Sequence, residues 1–263
     1  MRVIVETDLE GISGVVSWEQ TREMSSAMYQ SARDLLMGDV NALVEGLIAG
    51  GADDIIVLDG HGGGFNFIPE RMHPGARYFT GRNRRPFLGW EELYQGADAG
   101  ILLGYHAMAG TPDGMLRHTQ SSMQGNRYWY NECESGEIAQ DALVFGHYDI
   151  PVILVSGDHA ACREARALLG DGLTTVEVKR GYGEEFGLLL APEAAHDRLR
   201  EGARQALGRT SQCRPYRLEL PIRGRLRFPD KSVADRFVPA RATRVDDYTY
   251  DASFDSARDI YFF

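Results

Sequence analysis

Val3-Ile4-Val5-Glu6-Thr7-Asp8-Leu9-Glu10-Gly11 is an apolar run that breaks into two acids and a glycine. Its β-branched residues read as a strand and its glycine as the loop that follows. Side chains alternate along a strand, so Asp8 and Glu10, two apart, point the same way. Two carboxylates on one side of a strand end repel each other unless a cation sits between them, and a divalent metal is the usual one. The pattern recurs twice. Asp59-Gly60-His61 follows Ile55-Ile56-Val57-Leu58, and Gly104-Tyr105-His106 follows Gly100-Ile101-Leu102-Leu103. Three predicted strands thus end in side chains able to ligate a metal, which describes a site built along one edge of a sheet.

Outward from these strands the chain alternates strand-like and helix-like segments, the signature of an α/β fold with a mainly parallel or mixed sheet flanked by helices. Met28, Ala32, Leu35, Leu36, Val40, Leu43 and Leu47 recur at helical spacing, and Gly50-Gly51 ends that helix. Pro151 to Val155 reads as a fourth buried strand, His159 to Leu169 as a helix, Thr174 to Lys179 as a fifth strand, and Pro192 to Leu207 as a helix with proline in its first turn. Beyond Gly208 the segment gains arginines (Arg214, Arg217, Arg223, Arg225, Arg227) and a strand-like stretch from Tyr216 to Ile222. The expected organisation is a metal-binding catalytic α/β domain over 1–195 and a smaller α+β subdomain over 196–263. About 55 residues after Gly208 make a thin core alone, so that segment is expected to pack on a neighbouring domain or subunit.

Composition excludes several classes. A chain of 263 residues with 43% hydrophobic content suits one large globular domain or two modest ones. A formal charge of -10 argues against nucleic acid as the main partner. Apolar runs fall short of membrane-spanning length. The start, Met1-Arg2-Val3, leads straight into strand-like sequence, so no export signal is expected. Cys133, Cys162 and Cys213 are odd in number and scattered, which fits a reducing cytoplasm better than a disulfide framework.

Each candidate ligand has an ordinary reading too. An aspartate after a strand usually caps a turn or helix, and a histidine there is usually a hydrogen-bonded structural residue. Coincidence of Asp8, Glu10, His61 and His106 at three strand ends, where open α/β sheets place their ligands, weighs against that. Glu137, in Ser135-Gly136-Glu137-Ile138, fits the acidic first turn of a helix, and composition does not separate it from Glu132 or Glu134. His118 lies in loop-like sequence after Gly110-Thr111-Pro112-Asp113-Gly114. It reads as a surface histidine unless a metal site lies close, in which case its pKa near neutrality suits an acid or base. His73, His147, His159 and His196 read as structural or solvated.

Taken together, Asp8-Leu9-Glu10-Gly11-Ile12-Ser13-Gly14, Asp59-Gly60-His61, Leu103-Gly104-Tyr105-His106-Ala107, Met115 to Ser121, Gly136-Glu137 and Pro151 to Asp158 resemble the D-aminopeptidase family of zinc peptidases, often described as dipeptide-transport proteins. The resemblance runs from Met1 to about residue 180, and its opening D-x-E-G-I-S-G is the most specific part. It implies two zinc ions per chain sharing a bridging Asp8, with Glu10 and His61 completing one and His106 and Glu137 the other. It also implies a catalytic, non-ligand role for His118, and a homodecamer of two pentameric rings enclosing the active sites. The sequence departs from the family pattern in a loop one residue longer between His106 and His118, and in Gly60 where a serine is expected. Oxygen and nitrogen ligands of this kind also accept Mn²⁺ or Co²⁺. Three carboxylates and two neutral imidazoles set three negative charges against four positive ones, which one bridging hydroxide would balance, and such a hydroxide is the expected nucleophile.

The expected activity is release of N-terminal amino acids, of D configuration by the resemblance, from short peptides or amino-acid amides. Two rivals stand beside it. A binuclear phosphoesterase also uses strand-end Asp and His, and Gly157-Asp158-His159 loosely echoes one; such sites usually begin Asp-x-His, however, where this chain has Glu10. A non-catalytic peptide-binding component of a transporter would be exported, and five convergent ligands exceed what a simple binder uses.

Overall fold

The computed structural model describes residues 1–82 and 90–263. Its main sheet is seven-stranded. In chain order the strands are β1 (Arg2–Thr7), β2 (Asp54–Asp59), β3 (Arg77–Phe79), β4 (Ala99–Tyr105), then, after two strands of a second sheet, β5 (Arg127–Tyr130) and β6 (Cys133–Ser135), the strands β7 (Val152–Asp158), β8 (Thr174–Gly183) and β9 (Phe186–Leu189). Their spatial order is β3-β2-β1-β4-β7-β8-β9. All neighbours pair in parallel except β8 and β9, which form an antiparallel hairpin at one edge. The chain runs outward from β1 to β3 in one direction and then returns to place β4 on the other side of β1. Strand order therefore reverses between β1 and β4, the crevice where open α/β sheets bind ligands.

The helices are α1 (Glu19–Arg22), α2 (Ala27–Ala49), α3 (Trp90–Tyr94), α4 (Glu137–His147), α5 (His159–Leu169), α6 (Pro192–Gly208) and α7 (Lys231–Arg236). Alternation along the strands sorts the core into two layers. Val3, Val5, Ile101 and Leu103 face α2 and α6, meeting Leu36, Val40, Leu43, Leu47, Leu199 and Ala203. Ile4, Ile56, Leu102 and Val155 face the other way, toward Ile138 and Phe145 of α4 and Ala161 and Ala165 of α5. Both faces of the sheet are covered, which is why its strands read as continuous apolar runs. Among the described residues no helix is long and apolar enough to cross a membrane, and Cys133, Cys162 and Cys213 are free thiols.

The second sheet is antiparallel, with order β11-β12-β10-β5-β6, where β10 is Ile222–Arg227, β11 is Thr243–Arg244 and β12 is Thr249–Phe254. Three of its strands come from the C-terminal segment and two from residues 127–135. Strand β10 alternates buried and exposed residues, Ile222 and Leu226 inward and Arg223, Arg225 and Arg227 outward, over an aromatic core that includes Tyr130, Phe228, Tyr250, Phe254 and Phe263. The strand expected from Tyr216 to Ile222 instead begins at Ile222. Pro221 immediately before it lacks the N–H a ladder needs, so pairing starts only beyond the proline.

A buried carboxyl ties the main sheet to the C-terminal tail. Asp141, on α4, accepts a hydrogen bond from the Tyr105 hydroxyl at 2.5 Å and another from the Tyr261 hydroxyl. Burial pushes the Asp141 carboxyl up to about 7 against the help of both tyrosines. A carboxyl whose folded pKa is raised binds its proton more tightly when folded, so its contribution to stability falls as pH rises from about 4 to about 7. Glu164, whose carboxylate accepts the Met108 N–H at 2.8 Å, is likewise raised by burial to about 7. Asp141→Asn should therefore shrink, though not abolish, the loss of stability between pH 4 and 7 in urea melts. An unchanged slope would mean that Asp141 is ionised throughout.

Candidate metal centre

Two glycines let the first strand end meet the fourth. The Gly11 N–H donates to the Gly104 carbonyl at 2.6 Å, and a Cβ on Gly11 would lie 2.0 Å from the Tyr105 carbonyl oxygen. Gly104 has φ of 77°, in the left-handed region that favours glycine. The pairing of β4 with β7 is irregular between Leu102 and Tyr105, and this turn of the backbone aims His106 at the end of β1. Glu10 and His106 are brought side by side in this way.

The five candidate ligands meet at one buried place. Nδ1 of His61 lies 2.9 Å from Asp8 Oδ1 and 2.9 Å from Glu10 Oε2. Nε2 of His106 lies 3.3 Å from Asp8 Oδ2 and 3.4 Å from Glu137 Oε1. The Asp8 carboxylate thus turns one oxygen to each imidazole. Glu137, first residue of α4, reaches in from the second core layer, and its Oε1 also accepts the Gln120 N–H at 2.7 Å. Its place in the acidic first turn of a helix and its place in the site are both real.

Each imidazole has its outward nitrogen committed to a carbonyl. His61 Nε2 is 2.9 Å from the Thr21 carbonyl, His106 Nδ1 is 3.0 Å from that of Ala107, and His118 Nδ1 is 2.9 Å from that of Leu116. Carbonyls only accept, so these nitrogens carry protons and the inner ones, His61 Nδ1, His106 Nε2 and His118 Nε2, present lone pairs when neutral. This is the outer support that metal-ligating histidines ordinarily have. Asp8 Oδ2, Glu10 Oε2 and His106 Nε2 are buried without a hydrogen-bond partner. Buried polar atoms are usually paired; others in the chain are not, but these three belong to residues whose donor atoms cluster within 4.8 Å, which fits a cation held among them. Asp8, Glu10 and His106 form one group of mutually close donor atoms, and His106, His118 and Glu137 a second.

Electrostatics follow the same geometry. Burial raises the Asp8 carboxyl to about 6, aided by the charge of Glu10. Burial also works against ionising Glu10, but the adjacent His61 outweighs it and holds Glu10 well below the usual carboxylate range. His106 is held up at about 10 because Glu137 and Asp8 overcome its burial, and Glu137 falls in turn to about 2. His118 behaves oppositely. Burial and the charge of His106 both lower it.

His118 stacks on His106 with ring centres 3.9 Å apart, and Trp18 packs edge-on against it at 5.6 Å. Its Nε2 lies 3.7 Å from Glu137 Oε1. The short helix α1 therefore serves both ends of the site, with the Thr21 carbonyl on His61 and Trp18 beside His118. Arg22 ties it to the His118 loop through Ser122 and lies 3.5 Å over the Trp18 ring.

The remaining candidates fall elsewhere. Asp59 turns away from the cluster, accepting from the Asn66 N–H at 3.0 Å and side-chain amide at 2.7 Å. Asp158 caps α5 through the Ala161 N–H at 2.8 Å and accepts the Met115 N–H at 2.7 Å, while His159 pairs with Glu177 at 3.0 Å. The Gly157-Asp158-His159 echo of a phosphoesterase is accordingly a helix start. Glu134 pairs with Arg127 on the small sheet, at 2.6 Å from its Nη2. A cavity of about 900 Å³ opens on the outer face of that sheet, lined by Trp129, Arg223, Arg225 and Asp251, and none of the five ligand candidates borders it. Chemistry rather than concavity locates the centre.

Sequence reasoning passed over the residues that support the centre. Thr21 and Gln120 act through main-chain atoms, which leave no trace in residue type. Trp18 looks like any aromatic before a helix.

Strand-end carboxylates and imidazoles around one buried focus, at the switch point of an open α/β sheet, are the arrangement that metal-dependent hydrolases use. The chain belongs to the D-aminopeptidase family, peptidase family M55, whose profile it matches over residues 1–263, and it is accordingly a hydrolase of peptide bonds. It is 31% identical over 219 residues to the D-aminopeptidase of Bacillus subtilis (strain 168), covering 82% of this chain and 77% of that protein. Its fold superposes with a TM-score of 0.89, at 25% identity, on the Zn-dependent D-aminopeptidase DppA from Bacillus subtilis, described as a self-compartmentalizing protease, over 99% of this chain and 94% of that one.

Proposed function

We propose that the protein is a binuclear zinc aminopeptidase that releases N-terminal D-amino acids from short peptides or amino-acid amides. The observation that carries this reading is the convergence of Asp8 Oδ2, Glu10 Oε2 and His106 Nε2, buried and without hydrogen-bond partners. Asp8, Glu10 and His61 would hold one ion, and Asp8, His106 and Glu137 the other. When bound, the ions would acidify a water toward neutrality, polarise the scissile carbonyl and anchor a free amino group. The protein's own groups do the rest. Asp8 presents one oxygen to each half of the site, and the carbonyls of Thr21 and Ala107 hold the two ligating rings in the required tautomer. His118, neutral and with Nε2 facing inward, takes or delivers a proton beside Glu137.

Substrate class is tested by a panel of D- and L-aminoacyl p-nitroanilides and a p-nitrophenyl phosphate ester, with metal content measured on the same sample. Cleavage of a D-aminoacyl anilide without phosphate release supports the reading. Phosphate release alone, or cleavage confined to L-aminoacyl substrates, would contradict it.

Assembly belongs to the same proposal. The β8–β9 hairpin is an uncovered sheet edge with Tyr182, Phe186, Leu188 and Leu189 exposed, Phe186 and Leu188 at 62% each. Exposed apolar edges, even one as short as the four residues of β9, are sites for association. Light scattering at micromolar concentration should give the mass of a large homo-oligomer, for which two pentameric rings are the expected form. A monomeric mass with full activity would remove enclosure of the site and any filter on substrate size.

A further inference from the structure

The loop that carries Glu10 is gripped from two sides by buried charges that the chemistry above does not use. Lys179, 2% exposed on β8, directs its ammonium at the carbonyls of Glu10 (2.5 Å), Ile12 (2.9 Å) and Val15 (2.6 Å). These three contacts use all three of its N–H donors. Main-chain carbonyls inside an irregular buried loop have no ladder to pair with, and a buried cation satisfies them at once. On the other side Asp39 of α2, 1% exposed, accepts the Ser13 N–H at 2.8 Å and the Ser13 hydroxyl at 2.6 Å. His196 of α6 approaches the same carboxylate at 3.3 Å. Residues 10–15 are thus held by an ammonium carried on β8 and a carboxylate carried on α2.

Lys179 occupies this position through an irregularity. Val178 and Lys179 are both buried on a strand that otherwise alternates. The pairing of β7 with β8 shifts between Gly157 and Asp158, so that Asp158 lies opposite Lys179. A shift of this kind re-aims a side chain. Here it turns a lysine that alternation would send outward into the back of the loop.

We infer that Lys179, opposed by Asp39, is a positioning residue for Glu10. It fixes the main chain from which Glu10 Oε2 reaches to 2.9 Å from His61 Nδ1, and it sets the affinity of that half of the site without touching the ligand atoms. The inference rests on the reading of Glu10 and His61 as ligands. It predicts a selective effect, because His106, just past β4, and Glu137, at the start of α4, lie outside the segment whose carbonyls Lys179 binds.

The test is competitive zinc titration of chelator-stripped protein against a chromophoric chelator, for wild type, Lys179→Met, Asp39→Asn and Ser13→Ala. Circular dichroism of each metal-free variant runs in parallel. Wild type should bind two ions. Lys179→Met should keep one site at wild-type affinity and weaken the other by roughly 10–100-fold, the usual cost of losing an outer support of a ligand. Asp39→Asn should act on the same site, and Ser13→Ala on it more mildly. Adding Glu137→Gln identifies the weakened site: the Lys179→Met, Glu137→Gln pair should lose tight binding altogether. Should Lys179→Met fail to fold, the two milder variants decide. Folded variants that hold both ions as wild type does, or that weaken both sites equally, overturn the inference. A wild-type protein that takes up no zinc overturns instead the metal reading on which it rests.

Discussion

Asp8→Ala should empty the centre of both ions and cost more activity than any other single substitution. The reason is geometric. Asp8 Oδ1 stands 2.9 Å from His61 Nδ1, while Oδ2 stands 3.3 Å from His106 Nε2. No other candidate ligand turns separate oxygens to the two histidines. A carboxylate between two cations ligates each and screens each from the other, so its removal weakens both halves together. Lewis-acid stabilisation is worth several kcal/mol, and each ~1.4 kcal/mol is tenfold in rate, so the loss should be roughly 10³-fold or more in kcat/KM. Glu10→Gln and Glu137→Gln should each remove one ion. Elemental analysis beside kinetics distinguishes the cases, and an Asp8→Ala protein that retains two ions would refute a bridging role.

His118→Ala is the second large effect, with the opposite metal signature. His118 lies in the loop after β4 and is positioned by the Leu116 carbonyl, the His106 ring and Trp18. Burial lowers the pKa of its imidazole and so favours the neutral form, which can accept a proton at Nε2. Loss of such a group typically costs about 10²–10⁴-fold in rate. The variant should therefore keep two ions and lose most of its kcat, with KM little changed. The geometry also sets a sharp alternative, since His118 Nε2 is among the close donor atoms with His106 and Glu137. Loss of one ion from His118→Ala would make it a ligand.

The strands that build the centre were legible because each is buried on both faces, and such strands read as unbroken apolar runs. Ile4 to Val5, Ile55 to Leu58 and Ile101 to Leu103 lie in strands of the main sheet, and the helices expected at His159 to Leu169 and near Pro192 to Leu207 formed with nearly those limits. Asp8 and Glu10 do share the His61 nitrogen, but strand alternation is not the cause: β1 ends at Thr7 and Glu10 lies in the turn beyond it. The second sheet was harder to read. Its strands β5 and β6 are short, β10 alternates arginine with apolar residues, and the pairing of β10 with β5 joins residues as far apart in sequence as Arg127 and Arg227, so it leaves little local pattern. Among site residues, Glu137 could be singled out only by resemblance, because a first-turn glutamate has a sufficient reason to exist without any metal. Lys179 was invisible for a different reason. Its inward turn depends on a register shift, and alternation along β8 would have sent it to solvent.

Metal content of the active protein is the most direct measure of this account. Protein purified without added chelator, assayed on a D-aminoacyl anilide and analysed by mass spectrometry for zinc, manganese and cobalt, should carry about two divalent ions per chain. Stripping them should abolish turnover, and returning zinc should restore it. A preparation free of divalent metal and fully active would contradict the reading of Asp8, Glu10, His61, His106 and Glu137 as a metal centre.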